Sequence, residues 1–170
     1  MILSMRMRNI ALIEELSLEF GEGLHVMTGE TGAGKSIVVD AVNLVLGGRA
    51  ARELIRTGTD KAWVEAVFDA SGNEEVAKWA QAQALDDFDG TVTLYREITR
   101  SGRNLCRVCG VVMPLSALKD IAVLLMDVHG QHEAQFLMNS QYHLLFLDAA
   151  GGDDYQALLG RVDAAYQAFI

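Results

Sequence analysis

At 170 residues and 51% hydrophobic content the chain can bury one real core, and its single proline and 22% charged residues give no sign of a disordered tail or linker. A formal net charge of −9 repels a nucleic-acid backbone if it is spread evenly, so composition gives DNA binding no support and any such contact must be local. No apolar run is long enough to span a bilayer and the Met-Ile-Leu-Ser start lacks a signal-peptide apolar region, which makes a cytoplasmic protein the expectation.

Residues 1–20 read as a strand, a turn and a second strand, with Ile10, Leu12 and Ile13 leading through Glu14 and Glu15 into the alternating Leu16, Leu18 and Phe20. The mostly apolar run 24–28 then predicts a short buried strand. It leads into Gly29-Glu30-Thr31-Gly32-Ala33-Gly34-Lys35-Ser36, which fits the phosphate-binding pattern GxxxxGK[ST]. Glycines let such a loop turn back and aim its N–H groups at phosphate oxygens; Lys35 is then expected to reach the β- and γ-phosphates and Ser36 to offer its hydroxyl to Mg²⁺. From Ile37 on, Val38, Ala41, Val42, Val45 and Leu46 recur at helical spacing, and Gly47-Gly48 makes a natural stop. The helix N-terminus adds its partial positive charge to that of Lys35.

Arginines gather in two places, Arg49, Arg52 and Arg56 after this helix, and Arg96, Arg100, Arg103 and Arg107 around one turn; exposed, solvated faces are the expectation for both. Residues 62–68 read as a strand and 74–85 as a helix with Val76, Trp79 and Ala80 on its apolar side. Strands at 92–99 and 104–112 flank a Ser101-Gly102-Arg103 turn. Cys106 and Cys109 make a CxxC inside the second of these runs, where residues three apart point to opposite faces, so reduced, partly buried thiols are expected rather than zinc ligands or a redox pair. This order suggests an α/β fold, an antiparallel β layer joined to a parallel P-loop core.

Beyond Pro114, residues 115–122 read as a helix and 123–128 as a buried strand ending at His129-Gly130-Gln131-His132-Glu133. Ser140 can cap a helix through Leu144, Leu145 and Leu147 that Gly151-Gly152 ends, and Asp153 with Gln156 resembles a capping box for another. In that last helix Leu159, Val162, Tyr166 and Phe169 recur at spacings of three, four and three, which suits a coiled-coil seam or a core-packed helix equally. The expected organisation is a lobe over 1–152 and the start of a coiled coil over 153–170.

A P-loop needs a carboxylate at another strand end to hold the Mg²⁺ water shell, and a group that positions the attacking water. Four apolar residues followed by Asp occur at Asp127 and at Asp148, and the second reads as helix, so spacing alone favours Asp127. Gln131 competes, since a neutral amide can ligate Mg²⁺ through its oxygen and orient water through its NH₂. A zinc reading of His129, His132 and Glu133 fails because Phe136 stands where a second zincin histidine is needed.

Taken together, 7–13, the GETGAGKS loop with its helix, Leu46-Gly47-Gly48-Arg49-Ala50, Arg96-Glu97-Ile98 with Gly102-Arg103, and above all His129-Gly130-Gln131-His132-Glu133 followed by Leu147-Asp148 resemble the SMC-like branch of the ABC-type ATPases. Within it they resemble the RecN family of bacterial DNA double-strand-break repair proteins, over nearly the whole chain. Such proteins look as though they prefer Asn-Gly where this chain has Cys109-Gly110.

The resemblance implies an N-terminal head lobe with Gln131 in the Q-loop, as Mg²⁺ ligand and water positioner, and Asp127 as a strand residue. It implies ATP and Mg²⁺ as ligands, adenine contacts near residues 6–9, a C-terminal head lobe of the same chain, a homodimer through heads and coiled coil, and double-stranded DNA ends as partner in a nucleoid-associated protein. Coupling of DNA to hydrolysis falls to Arg49 or Arg56, with a solvated surface as the competing reading. No LSGG signature occurs in these residues, so weak ATP binding with little or no turnover is expected of them alone. Two rivals stay open: a self-contained P-loop kinase with Asp127 completing the Mg²⁺ site, and a nucleotide-binding assembly module.

Overall fold

The computed structural model describes residues 1–29, 34–85, 88–126, 128, 144, 147–148 and 150–169. The chain divides into two compact units, Met1–Asp127 and Val128–Ile170. The first is built on a six-stranded sheet of order β2-β1-β3-β4-β5-β6, made of β1 (Ile2–Ile10), β2 (Ile13–Glu19), β3 (Lys61–Asp69), β4 (Thr91–Thr99), β5 (Asn104–Val108) and β6 (Val111–Met113). Every neighbouring pair is antiparallel.

Period-two alternation decides which face is covered. Met5 and Met7 of β1, Ala62, Val64, Ala66 and Phe68 of β3, Val92, Leu94 and Ile98 of β4, and Cys106 and Val108 of β5 are all buried on one side. Helix α1 (Lys35–Val45) packs on β1, β3 and β4 from that side, and α3 (Leu115–Leu125) packs on β5 and on α2 (Glu74–Ala82). The opposite face carries a cross-strand row of charges and rings. Trp63 stacks on Tyr95 with centroids 5.7 Å apart, Arg107 lies over the Tyr95 ring, and Lys61 and Arg6 pair with Glu97 and Glu65.

Helix α1 ends as its glycines predict. Gly47 takes φ +95°, a backbone conformation that side chains disfavour. Its N–H donates to Leu44 O at 3.1 Å and that of Gly48 to Asn43 O at 2.8 Å, the paired bonds of a Schellman stop. At the start of α2 the Asn73 side chain accepts from Val76 N, a cap that the sequence reading passed over.

Four expectations are corrected. Residues 24–28 form no strand, and Leu24, Val26 and Met27 are exposed, because an apolar run specifies a wish for burial but no described strand runs beside it to supply a ladder. Residues 123–125 are the last turn of α3 rather than a strand: Leu124 and Leu125 continue the buried face of Ala117, Leu118, Ile121 and Ala122 at helical spacing, while Val123 is exposed. The run 104–112 is two strands, since Cys109 (φ 48°) and Gly110 (φ 79°) form a two-residue turn with Val108 paired to Val111. The first hairpin turns at Ala11 and Leu12, with Ile10 opposite Ile13, so Glu14 and Glu15 lie within β2.

In the second unit Leu144, Leu147 and Asp148 are helical, and α4 (Asp153–Phe169) follows Gly151-Gly152. Tyr155 Oη donates to Asp148 Oδ1 at 2.9 Å across that break. Ser140 and the side chains of Asp153 and Gln156 lie outside the described residues. Along α4 Val162, Tyr166 and Phe169 are exposed.

Candidate functional site

Gly34 and Lys35 form the junction between the glycine loop and α1. Gly34 is the residue before the helix and sits at φ 97°, ψ −9° in the left-handed region. A Cβ there would meet nothing within 4 Å, so it is the backbone conformation, not crowding, that calls for glycine. The helix then closes on it, with Val38 N donating to Gly34 O at 3.1 Å. No acidic residue occupies the first turn of α1 and Gly34 supplies no side-chain cap, so the helix itself adds no negative charge at the positive end of its dipole.

Lys35 Nζ donates to Gly29 O, so one side chain joins the two ends of the loop. Ser36, the second helical residue, is exposed, and Ile37 packs against the core beside buried Val38. A cation, a hydroxyl and a helix N-terminus thus converge on one short segment, and this donor set suits phosphate oxygens together with a hydroxyl-liganded Mg²⁺. Glu30, Thr31, Gly32 and Ala33 lie outside the described residues, as do Asp127, Gln131, His129, His132 and Glu133. Among the described residues no group of three His, Cys, Asp or Glu could hold a metal ion.

The arginine clusters are not uniformly solvated. Arg96 is 1% exposed, and is the one charged side chain among the described residues that is buried in the core. Its Nη1 donates to Leu44 O and to Gly48 O, both at 2.7 Å, and its Nε to Asn104 Oδ1 at 3.1 Å. Arg100 spends its donors on the carbonyls of Ile55, Arg56 and Thr59. Arg56 donates to Leu12 O and faces Glu14 at 4.0 Å. Arg49, Arg52, Arg103 and Arg107 are exposed as expected. The signal for Arg96 was in the sequence: it shares alternation with Val92, Leu94 and Ile98, which places it on the inward face.

Burial pushes the Cys106 thiol up in pKa and the Arg96 guanidinium down, while Cys109 is exposed at its turn. Both cysteines are free, but the expectation of two partly buried thiols in one strand is corrected: Cys106 is buried in β5 and Cys109 is exposed in the turn that follows it.

A glycine loop that runs into a helix covering one face of a sheet is the arrangement of a P-loop fold. The AAA domain family matches residues 4–104, and the chain belongs to that family. It is 39% identical to the DNA repair protein RecN of Bacillus subtilis over 170 residues, all of this chain and 30% of that protein. It is 40% identical to RecN of Vibrio cholerae over 167 residues, 98% of this chain and again 30% of that protein. The resemblance to RecN read from the motifs is thus borne out, and the chain spans about 30% of the length of these relatives. In fold it is similar to the Smc head domain with an extended coiled coil, bound to the C-terminal domain of ScpA, from Pyrococcus furiosus. That likeness has a TM-score of 0.66 at 20% identity and covers 98% of this chain and 46% of that one. No helix among the described residues is long and apolar enough to cross a membrane.

Proposed function

We propose that the chain is the ATP-binding N-terminal head lobe of a RecN-like protein in bacterial DNA double-strand-break repair. The observation that carries this is the loop closed by Lys35 at the start of α1, in a chain alike to RecN over its whole length. Gly29, Glu30, Thr31, Gly32, Ala33, Gly34, Lys35, Ser36 and Ile37 make the phosphate site. Within it Lys35 neutralises phosphate charge, and Ser36 with Gln131 would hold Mg²⁺. Gln131 also orients the attacking water through its amide, which as a neutral group positions rather than deprotonates.

Residues 1–152 serve as the lobe and 153–170 as the beginning of a coiled coil. The C-terminal lobe of the same protein completes the head, ATP drives dimerisation of two heads, and the dimer bridges or holds double-stranded DNA ends in the cytoplasm, at the nucleoid. The exposed Leu24, Val26 and Met27 support a lobe that packs against further sheet. Of the two candidates for coupling DNA to hydrolysis, Arg56 is engaged by Leu12 and Glu14 whereas Arg49 is exposed, which favours Arg49.

Residues 1–170 alone should bind Mg–ATP and turn it over little or not at all. In the full-length protein Gln131→Ala should abolish hydrolysis with ATP binding retained. Hydrolysis that survives Gln131→Ala and is lost in folded Asp127→Asn would instead support the self-contained kinase-like site.

A further inference from the structure

We infer that Arg96 is a positioning residue for the phosphate site, gripping the far end of α1 and thereby fixing where its N-terminus stands. The inference rests on the nucleotide-binding reading above and adds a residue that touches neither nucleotide nor loop.

The physical case begins with cost. Removing a guanidinium from water is expensive unless its donors are satisfied, and among the described residues Arg96 has no carboxylate within ion-pair distance. What it has are two carbonyls at the C-terminal end of α1, Leu44 O in the last turn and Gly48 O just past the stop. Helix α1 carries no basic residue of its own in that turn, so Arg96 supplies from β4 the cation that the negative end of the dipole favours. Nε, held by Asn104 of β5, fixes the guanidinium plane against the neighbouring strand.

The geometric case concerns leverage. The 11 residues of α1 span roughly 16 Å at 1.5 Å per residue, so a tilt of about 5° at the gripped end swings the other end by roughly 1.4 Å. A displacement of that size at Gly34, Lys35 and Ser36 is enough to misplace phosphate-binding groups. Arg100 provides the internal contrast. It too is held by backbone carbonyls, three of them, those of Ile55, Arg56 and Thr59, against two for Arg96, yet none belongs to α1.

The test compares full-length protein carrying Arg96→Met, Arg96→Lys or Arg100→Met, reading the Kd of a fluorescent ATP analogue with Mg²⁺ well below the Tm of each variant. Arg96→Met should weaken binding roughly fivefold to tenfold, Arg96→Lys should recover most of it by restoring the charge, and Arg100→Met should lower Tm with Kd unchanged. An unchanged Kd in Arg96→Met, or an equal loss in Arg100→Met, overturns the positioning role while leaving nucleotide binding standing. If Arg96→Met does not fold, Asn104→Leu decides: it frees only Nε, a two- to threefold (roughly) weaker Kd is expected, and no change overturns the inference. Failure of the unsubstituted protein to bind the analogue would overturn the nucleotide-site reading itself.

Discussion

Gly48 N donates to Asn43 O at 2.8 Å, and a Cβ on Gly48 would stand 2.6 Å from that same oxygen. The acceptor that closes the helix is therefore also the atom that excludes any side chain. Because it is backbone, it can move only by opening the stop and shifting the carbonyls that Arg96 grips. Gly48→Ala should cost about 1–3 kcal/mol of stability, read by urea denaturation. A change within a few tenths of a kcal/mol would mean that the stop is easily rearranged.

Asn73 links two helices. Its Oδ1 accepts from Val76 N at 3.2 Å and its Nδ2 donates to Leu124 O at 3.2 Å, in the last turn of α3. Asn73→Ala removes the cap of one helix and a partner of an orphan carbonyl in the other, so a loss of about 1–2 kcal/mol is expected. Asn73→Asp should keep the cap and lose the second bond, and so fall between the two.

Tyr95 sets an alkaline limit on the sheet. Burial, then its hydrogen bond to Glu97 Oε2 at 3.1 Å, raises its pKa from 10.0 to about 12. The folded state holds the proton more tightly than the unfolded chain, so this contribution is whole below pH 10.0 and is lost as pH rises to about 12. The hydrogen bond to Asp148 raises Tyr155 as well, so phenolate absorbance of the folded protein should show late titration from both, and Tyr95→Phe should remove the component near 12 and flatten that part of the stability profile. A component near pH 12 that is undiminished in Tyr95→Phe would contradict the assignment.

How much of this was legible beforehand follows from what each segment encodes. Strands β3 and β4 announce themselves because Ala62, Val64, Ala66 and Phe68, like Val92, Leu94 and Ile98, alternate with polar neighbours, and alternation encodes both the element and its face. Helix α1 was legible for the same reason at its own period, with Gly47-Gly48 marking its end. The runs at 24–28 and 123–126 carry no such code: a short, mostly apolar stretch of four or five residues suits a helix turn, a paired strand or an unpaired segment, and only the neighbours decide. Cys109-Gly110 was hidden because a cysteine rarely takes φ 48°, although Gly110 beside it hinted at a turn. Arg96 was misjudged as surface by composition even though its register pointed inward. Within the site, the loop and its lysine were plain from spacing, since phosphate chemistry restricts those residue types more tightly than packing restricts a core.

The most direct measurement is a titration of the chain and of its Lys35→Ala variant with a fluorescent ATP analogue, with and without Mg²⁺, alongside a folding check by circular dichroism. Lys35 closes the loop through Gly29 O and supplies its cation, so the unsubstituted chain should bind saturably and the variant should stay folded and lose that binding by at least about tenfold. Equal binding by folded Lys35→Ala, or none by the unsubstituted chain, would contradict a nucleotide site at the start of α1.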